Sequence, residues 1–248
     1  MKSLVSVSLT AFLAWSAVQS LSVAQTPEPS PESSPAASSA NPAVVAVPRV
    51  PWLDNHEQLV ATAKKVKPNL VFLGDSITAG WSQKGSGIWR ERYAPYGAVN
   101  LGIPGDATQH VLWRIQNGEL GGDIQPKLIV LMIGTNNGGT AEQVAAGVGA
   151  IIAKIQELCP QTKILLLDVF PRSEKPDHYS RKRNDALNVI ISKFGDDQKV
   201  FFLPIGNQFL EPDGTLSAEV MPDFLHPSGK GYQIWANAID AKLKELMQ

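Results

Sequence analysis

Five short apolar runs, each followed by a segment of helical periodicity, decide which folds are open to this chain. The runs are Leu70–Leu73, Ala98–Leu101, Leu128–Ile133, Ile164–Val169 and Val200–Leu203. A strand with one face in water alternates apolar and polar residues. These runs are apolar nearly throughout, so both of their faces must be covered. The clearest helix opens at Thr140, where Thr-Ala-Glu-Gln forms a capping box. It carries Val144, Val148, Ile151, Ile155 and Leu158 on one stripe and ends before Pro160. A last helix from about Lys230 sets Tyr232, Trp235, Ile239, Leu243 and Leu246 on one face. Strands that alternate with helices predict a parallel sheet buried on both sides, a flavodoxin-like three-layer α/β/α sandwich with five strands.

The chain has 248 residues, of which 44% are hydrophobic, enough for one sizeable core. Its 22 basic and 23 acidic residues leave a net charge of −1 with no dominant basic block, which argues against a nucleic-acid partner. The densest basic patch, Arg181-Lys182-Arg183, reads as the solvated face of a helix. Cys159 is the only cysteine, so no intramolecular disulfide forms and stability must come from the core.

The N-terminus adds two expectations. Lys2, an apolar stretch from Leu4 to about Val18, and Ser22-Val23-Ala24 have the parts of a cleavable secretory signal over residues 1–24. That stretch is too short and too rich in Ser and Thr to span a membrane well, so no stable span is expected in the mature form. A secreted or periplasmic location follows. Residues 25–51 are rich in Pro, Ser and Ala, a composition that reads as a disordered tether. The folded domain is then expected over 52–248.

In open parallel sheets, chemistry gathers in the loops beyond the carboxyl ends of the strands. Gly74-Asp75-Ser76 follows the first run, Gly105-Asp106 the second, and Gly134-Thr135-Asn136-Asn137 the third. Asp223 and His226 sit together before the last helix. Each fragment alone is ordinary turn vocabulary. Together they are an inventory for acyl transfer. A serine hydroxyl needs a base, a histidine base needs a carboxylate to fix its tautomer, and the developing oxyanion needs donors. Ser76, His226 and Asp223 fill the first three roles. The backbone N–H groups of Ser76 and Gly105 and the side-chain amide of Asn136 fill the last. His110 reads as packing or capping, Asp75 and Asp106 as turn formers, and Trp81 and Trp89 as packing. His56 and His178 show no carboxylate placed as Asp223 is. No metal-ligand spacing and no phosphate-cradling glycine loop occur, so no cofactor is required.

The combination resembles the SGNH hydrolases, the GDSL esterase/lipase family, across the domain from about residue 52 to the end. The long stretches "IWRERYAPYGAVNLGIPGDATQHVLWRIQNGEL", "GTNN", "PRSEKP" and "DFLHPSGKGY" are most similar to the platelet-activating-factor acetylhydrolase catalytic subunits of that family. The resemblance implies a Ser76–His226–Asp223 triad and an oxyanion hole of Ser76, Gly105 and Asn136. It also implies pairing of two chains, although no dimer face is identifiable in the sequence. The chain lacks the second glycine of a Gly-Xaa-Ser-Xaa-Gly elbow, so a deep lipase pocket is not expected. Ile77, Thr135 and Leu225 adjoin the site positions and are expected to crowd the acyl side, favouring short, acetyl-sized groups. The expected substrates are O-acetyl groups of carbohydrates, or alternatively acetylated or lyso-phospholipids. A different class of function, a non-catalytic glycan- or lipid-binding module on a hydrolase scaffold, would be favoured by a missing Ser, His or Asp.

Overall fold

The computed structural model describes residues 40–248. Its strands are β1 (Leu70–Gly74), β2 (Ala98–Gly102), β3 (Leu128–Met132), β4 (Lys163–Leu167) and β5 (Val200–Leu203). All pair in parallel in one sheet of order β2-β1-β3-β4-β5. The helices are α1 (Leu53–Val66), α2 (Ser76–Ala79), α3 (Ser86–Arg92), α4 (Thr108–Arg114), α5 (Ala141–Leu158), α6 (Tyr179–Ile191) and α7 (Gly229–Met247). The five-stranded α/β fold read from the apolar runs is present. The third and fourth runs end one and two residues early as strands, because Ile133 and Val169 already belong to the turns that leave the sheet.

Successive side chains of a strand point to opposite faces, and the core divides accordingly. Val71, Leu73, Ile129, Leu131, Ile164 and Leu166 face one way, against the stripe of α5 and against α4 and α6. Leu70, Phe72, Leu128, Val130, Met132, Leu165 and Leu167 face the other way, against α7, Trp81 and Phe170. Trp81 and Trp235 are both fully buried, with ring centroids 5.0 Å apart. Trp89 stacks edge-on against Phe72 at 5.1 Å, so both tryptophans named from the sequence are packing residues. The Thr140 capping box is formed: Thr140 Oγ1 accepts from the Gln143 N–H, and Gln143 Oε1 accepts from the Thr140 N–H at 3.0 Å.

The signal segment and residues 25–39 of the expected tether lie outside the described residues. The remainder of that tether is a correction. Residues 40–51 pack on the domain, with Ala43 only 2% exposed and two short 3₁₀ turns at Pro42–Val44 and Val50–Trp52. Composition misled because a few specific attachments hold this stretch. Asn41 donates to Gln143 O at 2.9 Å, and the Thr108 hydroxyl donates to Ala43 O at 2.9 Å.

Ile151 is fully buried on the α5 stripe. Truncating it to alanine removes that packing and leaves a cavity, so Ile151→Ala should cost about 2–5 kcal/mol. A shift of the urea midpoint with an unchanged slope would measure it.

Candidate active site

Strand order places the first three loops side by side. The chain moves outward from β1 to β2, then crosses to β3 on the other side of β1, which makes the β1 end a switch point. Gly74 stands in register with Gly102 on one side and Met132 on the other. The loops carrying Ser76, Gly105 and Asn136 therefore leave the sheet at one level.

Ser76 opens α2, one residue beyond the helix-capping Asp75, whose Oδ1 accepts from the Ile77 N–H at 2.9 Å. The turn is tight. A Cβ on Gly74 would lie 2.3 Å from both Met132 O and Thr78 Oγ1, so no larger residue fits there. Tyr232 of α7 donates its hydroxyl to Ile77 O at 2.6 Å, tying the last helix to the serine turn. The same helix is preceded by the loop that brings the base. Ser76 Oγ lies 2.8 Å from His226 Nε2, and His226 Nδ1 lies 2.7 Å from Asp223 Oδ2. Asp223 Oδ1 accepts from the backbone N–H groups of Leu225 (3.1 Å) and His226 (2.7 Å). Partial burial pushes the Asp223 carboxyl up, but the hydrogen bonds from His226 and the loop outweigh it and hold the group below the usual carboxylate range. Asp223 is thus ionised at neutral pH.

The three candidate donors stand on the loops after β1, β2 and β3. Among the described residues, the backbone N–H groups of Ser76 and Gly105 have no protein acceptor. Gly105 is in the left-handed region at φ +79°, which a residue with a Cβ adopts only under strain. Asn136 Nδ2 donates to Asp106 O at 3.0 Å and makes a longer contact of 3.4 Å to Asp75 Oδ2. The Asp106 carbonyl can only accept, which identifies the end of the amide facing it as nitrogen.

A cavity of about 260 Å³ contains Ser76 and His226, with Ala79, Gln83, Lys84 and Pro104 among its walls. Ile77 and Thr135, expected on the acyl side, do not line it. They are buried, at 1% and 2% exposed. Leu225 lines a neighbouring cavity with Arg172 and Tyr179. Adjacency in sequence does not carry these side chains to the serine, because Ile77 turns inward from α2 into the core.

The other polar residues singled out in the sequence are also placed. His110 caps its own helix, accepting from the Ala107 N–H at 3.0 Å, as a capping residue should. His56 does have a carboxylate partner: its Nδ1 lies 3.0 Å from Glu119 Oε1, in a buried network away from Ser76. Asp106 is more than a turn former. Its Oδ2 accepts from Arg114 Nε at 2.7 Å and its Oδ1 from Arg49 Nη1 at 3.1 Å. Arg114, 3% exposed, also bonds Glu119 and reaches Gly74 O at 3.3 Å. The Arg181-Lys182-Arg183 patch is no solvated face: Arg181 is 2% exposed, and Arg183 donates to Thr135 O at 2.8 Å and to Asn137 O. Arg114 was detectable, since it stands at the end of the apolar stripe Val111, Leu112 and Ile115, where a solvent-facing arginine has no place. Nothing local marked Arg49 or Arg183. Among the described residues no cluster of metal-capable side chains comes together, and no helix is long and apolar enough to cross a membrane.

A serine, histidine and carboxylate in series, beside free backbone N–H groups at the ends of a parallel sheet, is the constellation of an ester hydrolase. The chain matches the GDSL-like Lipase/Acylhydrolase family over residues 72–234 and belongs to that family, whose members hydrolyse esters. It is 39% identical over 197 residues to human platelet-activating factor acetylhydrolase IB subunit alpha1, covering 79% of this chain and 84% of that one. It is 40% identical over 201 residues to the rat subunit alpha2, covering 79% and 85%. Among solved structures, a GDSL-like lipase from Bacteroides thetaiotaomicron superposes with TM-score 0.60 at 22% identity, over 79% of this chain and 97% of that one. An acetylxylan esterase from Geobacillus stearothermophilus gives 0.58 at 21%, over 72% and 94%. Both share the fold.

Asp75 supplies a test of the site's electrostatics. Complete burial is the main cause that pushes its carboxyl up to about 7, opposed by the Ile77 N–H and by His226 and reinforced by Asp106. Between the ordinary value of 3.8 and about 7, the folded chain holds a proton that the unfolded chain releases. Its contribution to stability is full below the ordinary value and is lost as pH rises through the folded one. Asp75→Asn lacks this titration, so the melting temperature of the variant should gain on wild type between pH 5 and pH 8. An equal difference at both pH values would remove the argument.

Proposed function

We propose that Ser76 is the nucleophile of a serine esterase that removes acetyl groups through an acyl-enzyme. The observation that carries this reading is the unbroken chain Ser76 Oγ–His226 Nε2 (2.8 Å) and His226 Nδ1–Asp223 Oδ2 (2.7 Å). His226 takes the serine proton as Oγ bonds to the ester carbonyl carbon. Asp223 keeps Nδ1 protonated and stabilises the imidazolium. The carbonyl oxygen becomes an oxyanion that accepts from the N–H groups of Ser76 and Gly105 and from Asn136 Nδ2. The long 3.4 Å contact to Asp75 is the one this amide can share. Collapse breaks the bond to the alcohol, which leaves with the proton from His226. Water, deprotonated by the same histidine, then attacks the acyl-serine, and the acid departs as Oγ regains its proton.

The acetyl assignment draws support from two directions. The curated relatives at 39–40% identity are acetylhydrolases by name. The fold is shared with an acetylxylan esterase. We favour O-acetyl groups on carbohydrate, with export from the cell, because the first 24 residues have the parts of a secretory signal. The sequence likeness to the acetylhydrolase subunits supports a second reading, an acetylated phospholipid, for the same chemistry. Homodimerisation belongs to that second reading too.

The full chain should release p-nitrophenol from the acetate ester much faster than from the octanoate ester. Ser76→Ala should abolish the reaction, and equal rates for the two proteins would overturn the mechanism. Asn136→Ala should be milder, losing roughly 10²–10³ in kcat. Acetate release from acetylated xylan, measured beside release from an acetyl glycerophospholipid, separates the two substrate readings.

A further inference from the structure

Residues 41–49, which composition assigns to a tether, run as a strap over α4 and α5 and end on the loop that carries Gly105. Three attachments lie along it. Asn41 bonds Gln143 O, Ala43 O accepts from Thr108, and the Val47 N–H donates to Gln109 O at 3.3 Å. The strap lies so close to α5 that a Cβ on Gly147 would meet Ala43 O at 2.7 Å. At its end the Arg49 guanidinium brackets Gly105, donating to Pro104 O on one side and to Asp106 Oδ1, at 3.1 Å, on the other. A Cβ on Gly105 would lie 3.0 Å from Arg49 Nη2 and 3.1 Å from Nη1. The guanidinium also sits 5.4 Å from the centre of the Trp52 ring, which limits where it can move.

We propose that Arg49 is a positioning residue for ester hydrolysis: anchored by the strap, it sets the pitch of the Pro104–Asp106 loop and so the aim of the Gly105 N–H at the oxyanion. The inference rests on the reading of Gly105 as an oxyanion donor. Gly105 itself is exposed and takes a left-handed conformation, so nothing within the residue fixes its amide. The flanking groups must do so. Pro104 has no N–H to contribute, and its carbonyl is held by Arg49. The Asp106 carboxylate is held by Arg49 and by Arg114, while its N–H donates to Ile103 O and its carbonyl accepts from Asn136. This division matters for the test. Removing Arg49 leaves Asp106 paired with the buried Arg114, so no carboxylate is stranded without a cation. What is lost is Nη1, the one nitrogen that donates to both acceptors and that a lysine ammonium, one bond shorter, does not reach from the same strap.

The test compares full-length wild type, Ser76→Ala, Arg49→Met and Arg49→Lys on p-nitrophenyl acetate. Arg49→Met should lose roughly 10- to 10²-fold in kcat, the scale of a donor displaced by about 1 Å, with KM within about twofold of wild type. Millimolar guanidinium should restore part of that kcat and leave wild type unchanged, a response that a purely structural role would not give. A kcat within about threefold of wild type, a loss carried by KM instead, or no rescue by guanidinium would overturn the proposal. If Arg49→Met does not fold, Arg49→Lys decides: a lowered kcat at unchanged KM supports the proposal, and a wild-type kcat overturns it. Wild-type activity in Ser76→Ala would instead sink the reading of Ser76 as nucleophile, so the two failures are distinguishable.

Discussion

The register of three neighbouring strands is the constraint on which the site depends. With Gly74 level with Gly102 and Met132, the turns after β1, β2 and β3 start from one edge and reach a common point a few residues later. Had β1 and β3 paired one residue out of step, the faces of the strand would exchange and the core with them. Burial on both sides excludes that error, since every side chain of β1 and β3 is buried. The hydrophobic effect that folds the sheet thereby also aligns the polar groups at its edge.

Around that edge the two halves of the site are held differently. The loops for Gly105 and Asn136 are backed by arginines. Arg49 and Arg114 meet at Asp106, while Arg172 and Arg183 both donate to Thr135 O. Arg114 and Asp106 are buried, where the cost of leaving either one alone keeps both in place. The loop of Asp223 and His226 is more open, with these side chains 58% and 38% exposed. It is kept by its own turn, by the bond from the Ser173 N–H to Phe224 O, and by the Ser228 cap of α7. In the proposed mechanism this places fixed dipoles at the developing charge and the proton-exchanging group nearer to water.

Much of this could be read from the sequence, and the reasons differ by element. The strands were legible because runs such as Leu128-Ile129-Val130-Leu131-Met132 satisfy no pattern except burial on both faces. The Ser76, His226 and Asp223 grouping was legible because each stands next to an element end, and Gly105 and Asn136 were singled out on the same ground. The arginine supports were not. Arg49 was hidden in a proline-rich stretch, and its partners lie 55 and 57 residues away. Arg183 looked like one of three surface charges because helical spacing says which face a residue takes, not what a neighbouring loop brings to it. The acyl-side residues failed for a related reason. Contact with a substrate depends on side-chain direction, and Ile77 points into the core.

The serine and its base are separated by 150 residues, and the base arrives on the loop just before the last helix. Under the proposed mechanism, a chain that has paired only β1, β2 and β3 holds Ser76 and the loops of Gly105 and Asn136 but lacks the histidine that takes the serine proton. His226 reaches Ser76 on the loop just before α7, and α7 is tied to the serine turn by the bond from Tyr232 to Ile77 O. On that mechanism the order of the chain makes reactivity depend on its carboxyl-terminal segment. Labelling of the serine by an ester-like reagent then reports completion of the whole domain, carboxyl-terminal helix included, more stringently than the appearance of secondary structure does.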